Sequence, residues 1–216
     1  MSQNTAPLDV LFGPVAPTPD GSQVLAALTA AARERILILD GAMGTQIQGL
    51  GFDEEQFRGE AFAGCACHQQ GNNDLLILTQ PAAIEEIHYQ YAISGADILE
   101  TNTFSSTSIA QADYGMEDAV YALNRDGSRL VRRAAIRAEQ EDGKRRFVAG
   151  ALGPTNRTAS MSPDVNDPGF RAVRFDELRA AYAEQIRGLV DGSADLILVE
   201  TIFDTLNAKA AIFAAE

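Results

Sequence analysis

Residues 95–101, Gly-Ala-Asp-Ile-Leu-Glu-Thr, and residues 193–201, Ser-Ala-Asp-Leu-Ile-Leu-Val-Glu-Thr, are two versions of one phrase, aligned across a two-residue gap. Each opens on Ala-Asp, runs through an apolar centre, closes on Glu-Thr and follows a helical pattern. An apolar run without alternation is what a strand covered on both faces requires. Two more runs share that character: Ile36-Leu37-Ile38-Leu39, ending at Asp40, and Phe147-Val148-Ala149-Gly150-Ala151-Leu152. Between them, Ile84, Ile87, His88 and Tyr91 share one helical face after Pro81, and Leu178, Tyr182, Ile186 and Leu189 share another after the cap candidate Asp176. The order β, α, β, α, β, α, β, α predicts a parallel sheet. It fits either a (β/α)₈ barrel or a doubly wound open sheet. The turn Asp40-Gly41-Ala42-Met43-Gly44 spaces its glycines wrongly for a dinucleotide and nothing resembles a P-loop, so the barrel is favoured. A complete barrel takes roughly 250 residues. The expectation is therefore an α/β chain of (β/α)₈ TIM-barrel type with only the N-terminal half, about four βα units, present.

Outward from these runs, Ser22 reads as the N-cap of an Ala-rich helix that delivers the chain into Ile36. Ahead of it lie Pro7, Pro14, Pro17 and Pro19, half of the eight prolines, without apolar periodicity. Residues 1–21 are expected to be a disordered arm and residues 22–216 one truncated barrel domain. The last helix, Leu206 to Glu216, has no terminating glycine, basic last turn or proline, so the chain reads as part of a longer protein.

Of the 216 residues, 46% are hydrophobic and 22% charged, enough for one sizeable core. A formal charge of −13 repels phosphate and argues against nucleic acid or an anionic membrane surface as partner. No apolar run approaches the roughly 20 residues of a membrane helix. The first basic residue is Arg33, which argues against a positive leader. The two cysteines, Cys65 and Cys67, are too few for a disulfide framework and suit a reducing compartment. The expected location is the cytoplasm.

In a barrel the reacting centre is built from strand ends and the loops after them. That geometry selects Asp40, then Glu100 with Thr101, Asn102 and Thr103, then Gly153-Pro154-Thr155-Asn156, then Glu200 with Thr201. A carboxylate buried at a strand end needs a cation or several donors; a ligand ammonium is one answer, and loop N–H groups or a helix start are the other. Gly41 to Gly44 supplies flexible backbone where a helix begins, suited to an anion or simply to a tight βα turn. The long loop from Arg157 to Arg174 reads as a lid, a docking surface or a packed excursion. Cys65-Ala-Cys67-His68 has the wrong spacing for a zinc pair and no second pair. The other histidine, His88, reads as a satisfied core residue.

Taken together, the stretches 38–45 (Ile-Leu-Asp-Gly-Ala-Met-Gly-Thr), 71–76 (Gly-Asn-Asn-Asp-Leu-Leu), 95–104 (Gly-Ala-Asp-Ile-Leu-Glu-Thr-Asn-Thr-Phe), 152–160 (Leu-Gly-Pro-Thr-Asn-Arg-Thr-Ala-Ser), 162–168 (Ser-Pro-Asp-Val-Asn-Asp-Pro) and 199–211 (Val-Glu-Thr-Ile-Phe-Asp-Thr-Leu-Asn-Ala-Lys-Ala-Ala) resemble the homocysteine S-methyltransferase family. Within it they are similar to the homocysteine-binding domain of the cobalamin-dependent methionine synthase branch, with residues 152–168 the most specific part. The Asp-Gly-x-x-Gly and Glu-Thr pieces are shared with relatives that use betaine or S-methylmethionine.

The resemblance implies a (β/α)₈ barrel in which zinc, held by cysteine thiolates, activates the homocysteine sulfur for attack on the methyl group of methylcobalamin. It implies that Asp40 and Glu200 hold the substrate ammonium, that backbone N–H groups at Gly41 and Ala42 hold its carboxylate, and that Thr101 lines the pocket. The zinc cysteines are expected beyond Glu216, and cobalamin- and folate-binding modules on the same or a companion chain are the expected partners. The chain alone is expected to be inactive. Other open readings are a methyltransferase using S-methylmethionine or betaine, and a non-catalytic amino-acid-binding remnant.

Overall fold

Apolar runs become strands here where a helix layer can cover them. The computed structural model describes residues 17–216; the expected arm before Pro17 lies outside the described residues. In chain order the helices are α1 (Gly21–Glu34), α2 (Met43–Leu50), α3 (Glu54–Arg58), α4 (Leu76–Thr79), α5 (Pro81–Ile93), α6 (Ser108–Gln111), α7 (Val120–Asp142), α8 (Phe175–Asp191) and α9 (Thr205–Ala215). The strands are β1 (Ile98–Glu100), β2 (Phe147–Leu152) and β3 (Leu196–Val199). They pair in parallel in the sequential order β1-β2-β3, with Leu99 opposite Val148 and Ala149 opposite Leu196. A doubly wound sheet reverses its strand order; among the described strands there is no reversal.

The first apolar run departs from expectation. Residues 36–39 form no strand of their own, only a parallel bridge between Leu39 and Ile98. Ile36 is 85% exposed and Ile38 53%. Among the described residues nothing covers the start of this run, and the Asp97 carboxylate, paired with Arg35, accepts its Ile38 N–H at 2.9 Å. Pairing resumes beyond it, where the Asp40 N–H donates to the Ile98 carbonyl at 2.9 Å.

Two helix starts differ as well. Asp20, not Ser22, caps α1, accepting the Ser22 N–H at 2.9 Å. Asp176 lies inside the first turn of α8, whose start is secured by Glu177 accepting the Arg174 N–H at 2.7 Å.

Helices α5, α7, α8 and α9 pack each against the next and cover one face of the sheet. The core between them holds Leu99, Val148 and Leu152 from the strands, Tyr89 and Ala92 from α5, Val131, Ala134 and Ala138 from α7, and Leu178, Tyr182 and Leu189 from α8. Small alanines on α7 bring its axis close to β2. Among the described residues no helix is long and apolar enough to cross a membrane.

Candidate active site

The parallel strands send their carboxyl ends to one side, and the loops that follow enclose a cavity of about 360 Å³ lined by Asn72, Asn73, Asp74, Glu100, Asn102, Phe104, Ser105, Tyr114 and Glu200, with Met43 and Gly44 from the start of α2. Glu100 ends β1, and Glu200 follows β3 directly. Burial, with Glu200 and Asp40 as negative neighbours, pushes the Glu100 carboxyl up to about 7. Two carboxylates facing one cavity repel each other, and a cation placed between them would relieve that repulsion.

Asp74 is a third acid on the wall. It accepts the Ser105 N–H and the Ser106 hydroxyl, both at 2.7 Å, yet burial still pushes it up to about 6. It sits directly before Leu75-Leu76-Ile77-Leu78. The sequence reading did not select it; a lone acid leading an apolar run is the signal that could have found it.

The residues chosen from sequence do not all meet. Glu200 lines this cavity, while Asp40, Gly41 and Ala42 line a neighbouring, more open one of about 450 Å³ shared with Tyr91, Ser94 and Gly95. Thr101 is buried, its hydroxyl accepting the Ala151 N–H at 2.9 Å and meeting the Thr103 hydroxyl at 2.6 Å. Asp40 is turned inward: Oδ1 accepts the Glu100 N–H at 2.9 Å, and Oδ2 lies 3.8 Å from Nδ1 of His88. His88 is a core residue, as its helical face requires, but not a satisfied one, since neither ring nitrogen has a hydrogen-bond partner.

Backbone strain gathers at the same strand ends. Ala42 (φ 50°) and Thr201 (φ 57°) occupy the left-handed region, which a β-branched residue enters only under constraint. At Ala42 the strain opens α2, whose first turn has no side-chain cap, the condition under which helix-start N–H groups can serve an anion.

Zinc finds no fit among the described residues. They contain no group of three or more His, Cys, Asp and Glu side chains that could hold a metal. The Cys65 sulfur accepts from the Gln69 amide at 3.3 Å, and the Cys67 sulfur packs against Gly115, where an added Cβ would sit 3.2 Å away. The long loop is pinned at its base, where Ala159 N–H donates to Asn207 and Ser160 N–H to Asp204, both at 3.0 Å. Its tip is exposed around Val165 and Phe170.

Sequential parallel strands with acids at their carboxyl ends define the class, an α/β domain with an acid-lined cavity among its strand-end loops. The particular family follows from comparison with known proteins. A family model described as homocysteine S-methyltransferase matches residues 37–216, and the chain belongs to that family. Its fold matches crystal structures of the homocysteine methyltransferase MmuM from Escherichia coli. The oxidized form aligns at 22% identity with a TM-score of 0.65 over 89% of this chain and 60% of that one. The metallated form aligns at 23% identity with a TM-score of 0.64 over 85% of this chain and 60% of that one. The chain thus spans about 60% of the length of the solved structures it matches.

Proposed function

We propose that this chain recognises homocysteine for a methyl transfer that yields methionine, with methylcobalamin as the donor. The observation that carries the reading is the strand-end cavity faced by Glu100 and Glu200, in a chain of the homocysteine S-methyltransferase family. Homocysteine offers an ammonium, a carboxylate and a thiol. The ammonium is to be held by Glu200 with Glu100, which share the cavity, and the inward-turned Asp40 adds a third negative charge behind them. The carboxylate is to meet the N–H groups at Gly41 and Ala42, where α2 starts uncapped. Thr101 supports this wall by tying the end of β1 to β2 rather than by reaching the substrate. The chemistry at sulfur belongs to residues other than those described, because the zinc of the family reading has no ligand set among them.

The sequential parallel strand order supports a domain over residues 22–216 that forms part of a (β/α)₈ barrel. The 152–168 stretch supports the cobalamin branch, with cobalamin- and folate-binding modules as partners. A methyl-transfer assay of the full-length protein on homocysteine tests the reading. Methionine is expected from methylcobalamin; methionine from S-methylmethionine or betaine alone would move the protein to another branch, and no methionine from any donor would leave only amino-acid binding.

A further inference from the structure

We propose that His88 is the positioning residue of Asp40, donating a hydrogen bond from Nδ1 to Asp40 Oδ2 and holding that carboxylate at the junction of the first apolar run, β1 and α5. Three observations lead there. His88 is fully buried, and both its nitrogens lack hydrogen-bond partners. A buried polar ring without a partner is costly, so a partner within reach is to be expected. The Asp40 carboxylate is the group within reach: its side chain is 4% exposed, its Oδ2 lies 3.8 Å from Nδ1, and its Oδ1 is already occupied by the Glu100 N–H at 2.9 Å. A rotation of either side chain that closes the gap to about 2.8 Å completes a charge-assisted bond.

The consequence is directional. A neutral imidazole carries its one N–H on either nitrogen, and placing it on Nδ1 gives Asp40 a donor on each oxygen. Asp40 then cannot swing into solvent, and its charge stays beside Glu100, which lines the strand-end cavity. The bond itself follows from the geometry; its effect on substrate rests on the homocysteine reading.

The test is histidine-selective ¹⁵N NMR of the full chain under magic-angle spinning, which tolerates self-association. His68 and His88 are the only two histidines, and His68→Gln assigns them. His88 is expected as the Nδ1–H tautomer, and Asp40→Asn is expected to release it to the Nε2–H form or to exchange between the two. A wild-type His88 in the Nε2–H form overturns the proposal without need of any variant, and so does an Nδ1–H signal that Asp40→Asn leaves unmoved. In the full-length protein, His88→Leu is expected to raise the homocysteine dissociation constant about tenfold, with His88→Asn, which keeps a donor near Nδ1, recovering most of the loss. The Nδ1–H tautomer in a protein that does not bind homocysteine would keep the positioning role and sink the substrate reading. Homocysteine binding with His88→Leu as tight as wild type would do the reverse.

Discussion

At the scale of single residues, the site's character comes from acids that the fold brings together with no Lys or Arg among the described residues that line the cavity. Glu100 is the most informative, because its carboxyl titrates near 7 with Glu200 and Asp40 beside it. Ionised Glu100 attracts an ammonium and protonated Glu100 does not, so homocysteine affinity is expected to rise as pH climbs through about 7. Calorimetry across that range, in buffers of different ionisation enthalpy, should also detect protons released on binding. Glu200→Gln is expected to weaken binding by about 1.5–3 kcal/mol, the worth of a hydrogen bond to a charged group. Unchanged affinity would remove Glu200 from the ammonium site. Asp74 carries a stability prediction. Its native pKa, about 6, lies above the ordinary 3.8, so its contribution is fully present below pH 4 and is lost as pH rises through 6. Asp74→Asn keeps an oxygen to accept from Ser105 and Ser106 but removes the buried charge. Chemical denaturation at pH 7.5 should show the variant more stable by about 3 kcal/mol, with the difference vanishing near pH 4.

At the scale of elements, the repeated phrase with which the fold is decided is repeated in geometry too. Gly95 and Ser193, the residues before each Ala-Asp, both have positive φ (113° and 74°) and end their helices. Ala96 and Ala194 then donate to Tyr91 and Leu189 in the same six-residue closing turn, at 3.1 and 3.0 Å. Asp97 accepts the Ile38 N–H and pairs with Arg35; Asp195 accepts the Val148 N–H and pairs with Arg132. Each acid thus bolts its own strand to the apolar run that precedes it. Since Arg132 is 16% exposed and Arg35 49%, Asp195→Ala leaves the more buried cation and is expected to cost about 3–5 kcal/mol by thermal or denaturant unfolding, with Asp97→Ala costing clearly less. Equal losses would mean that the arginines do not set the difference.

The sequence made β2 legible to the residue, and β1 and β3 to within three residues, because an unbroken apolar run between polar ends has few other solutions. It also showed α5, α8 and α9. It misled at residues 36–39, where apolar character predicts a buried strand but among the described residues no layer covers Ile36 and Ile38 and only Leu39 bridges to Ile98. In the site, Glu200 and Glu100 were visible as strand ends. The separation of Asp40, Gly41 and Ala42 into a neighbouring cavity was not, because it depends on which way a strand-end side chain turns.

At the scale of the whole molecule, the sheet carries apolar surface at both its ends. Ile36, Ile38 and Leu39 stand exposed along the first apolar run, and Phe203, Leu206, Ile212 and Phe213 stand exposed after β3 and along α9. Exposed strand edges with apolar flanks recruit other chains. The chain of residues 1–216 is therefore expected to self-associate with rising concentration in sedimentation experiments. Ile38→Lys together with Phe213→Lys should reduce the association while leaving the far-ultraviolet circular dichroism unchanged. A monomer across the concentration range would show these edges to be innocuous.

The central claim is that the strand-end acids recognise the ammonium of an amino-acid thiol, and titration calorimetry of the full-length protein at pH 8 tests it most directly. The ligands are homocysteine and 4-mercaptobutyrate, which keeps the thiol and carboxylate but lacks the ammonium. Homocysteine is expected to bind at least tenfold more tightly, about 1.4 kcal/mol, with that preference abolished in a Glu100→Gln, Glu200→Gln double variant. Equal binding of the two ligands, or a preference that survives the double variant, would contradict the account.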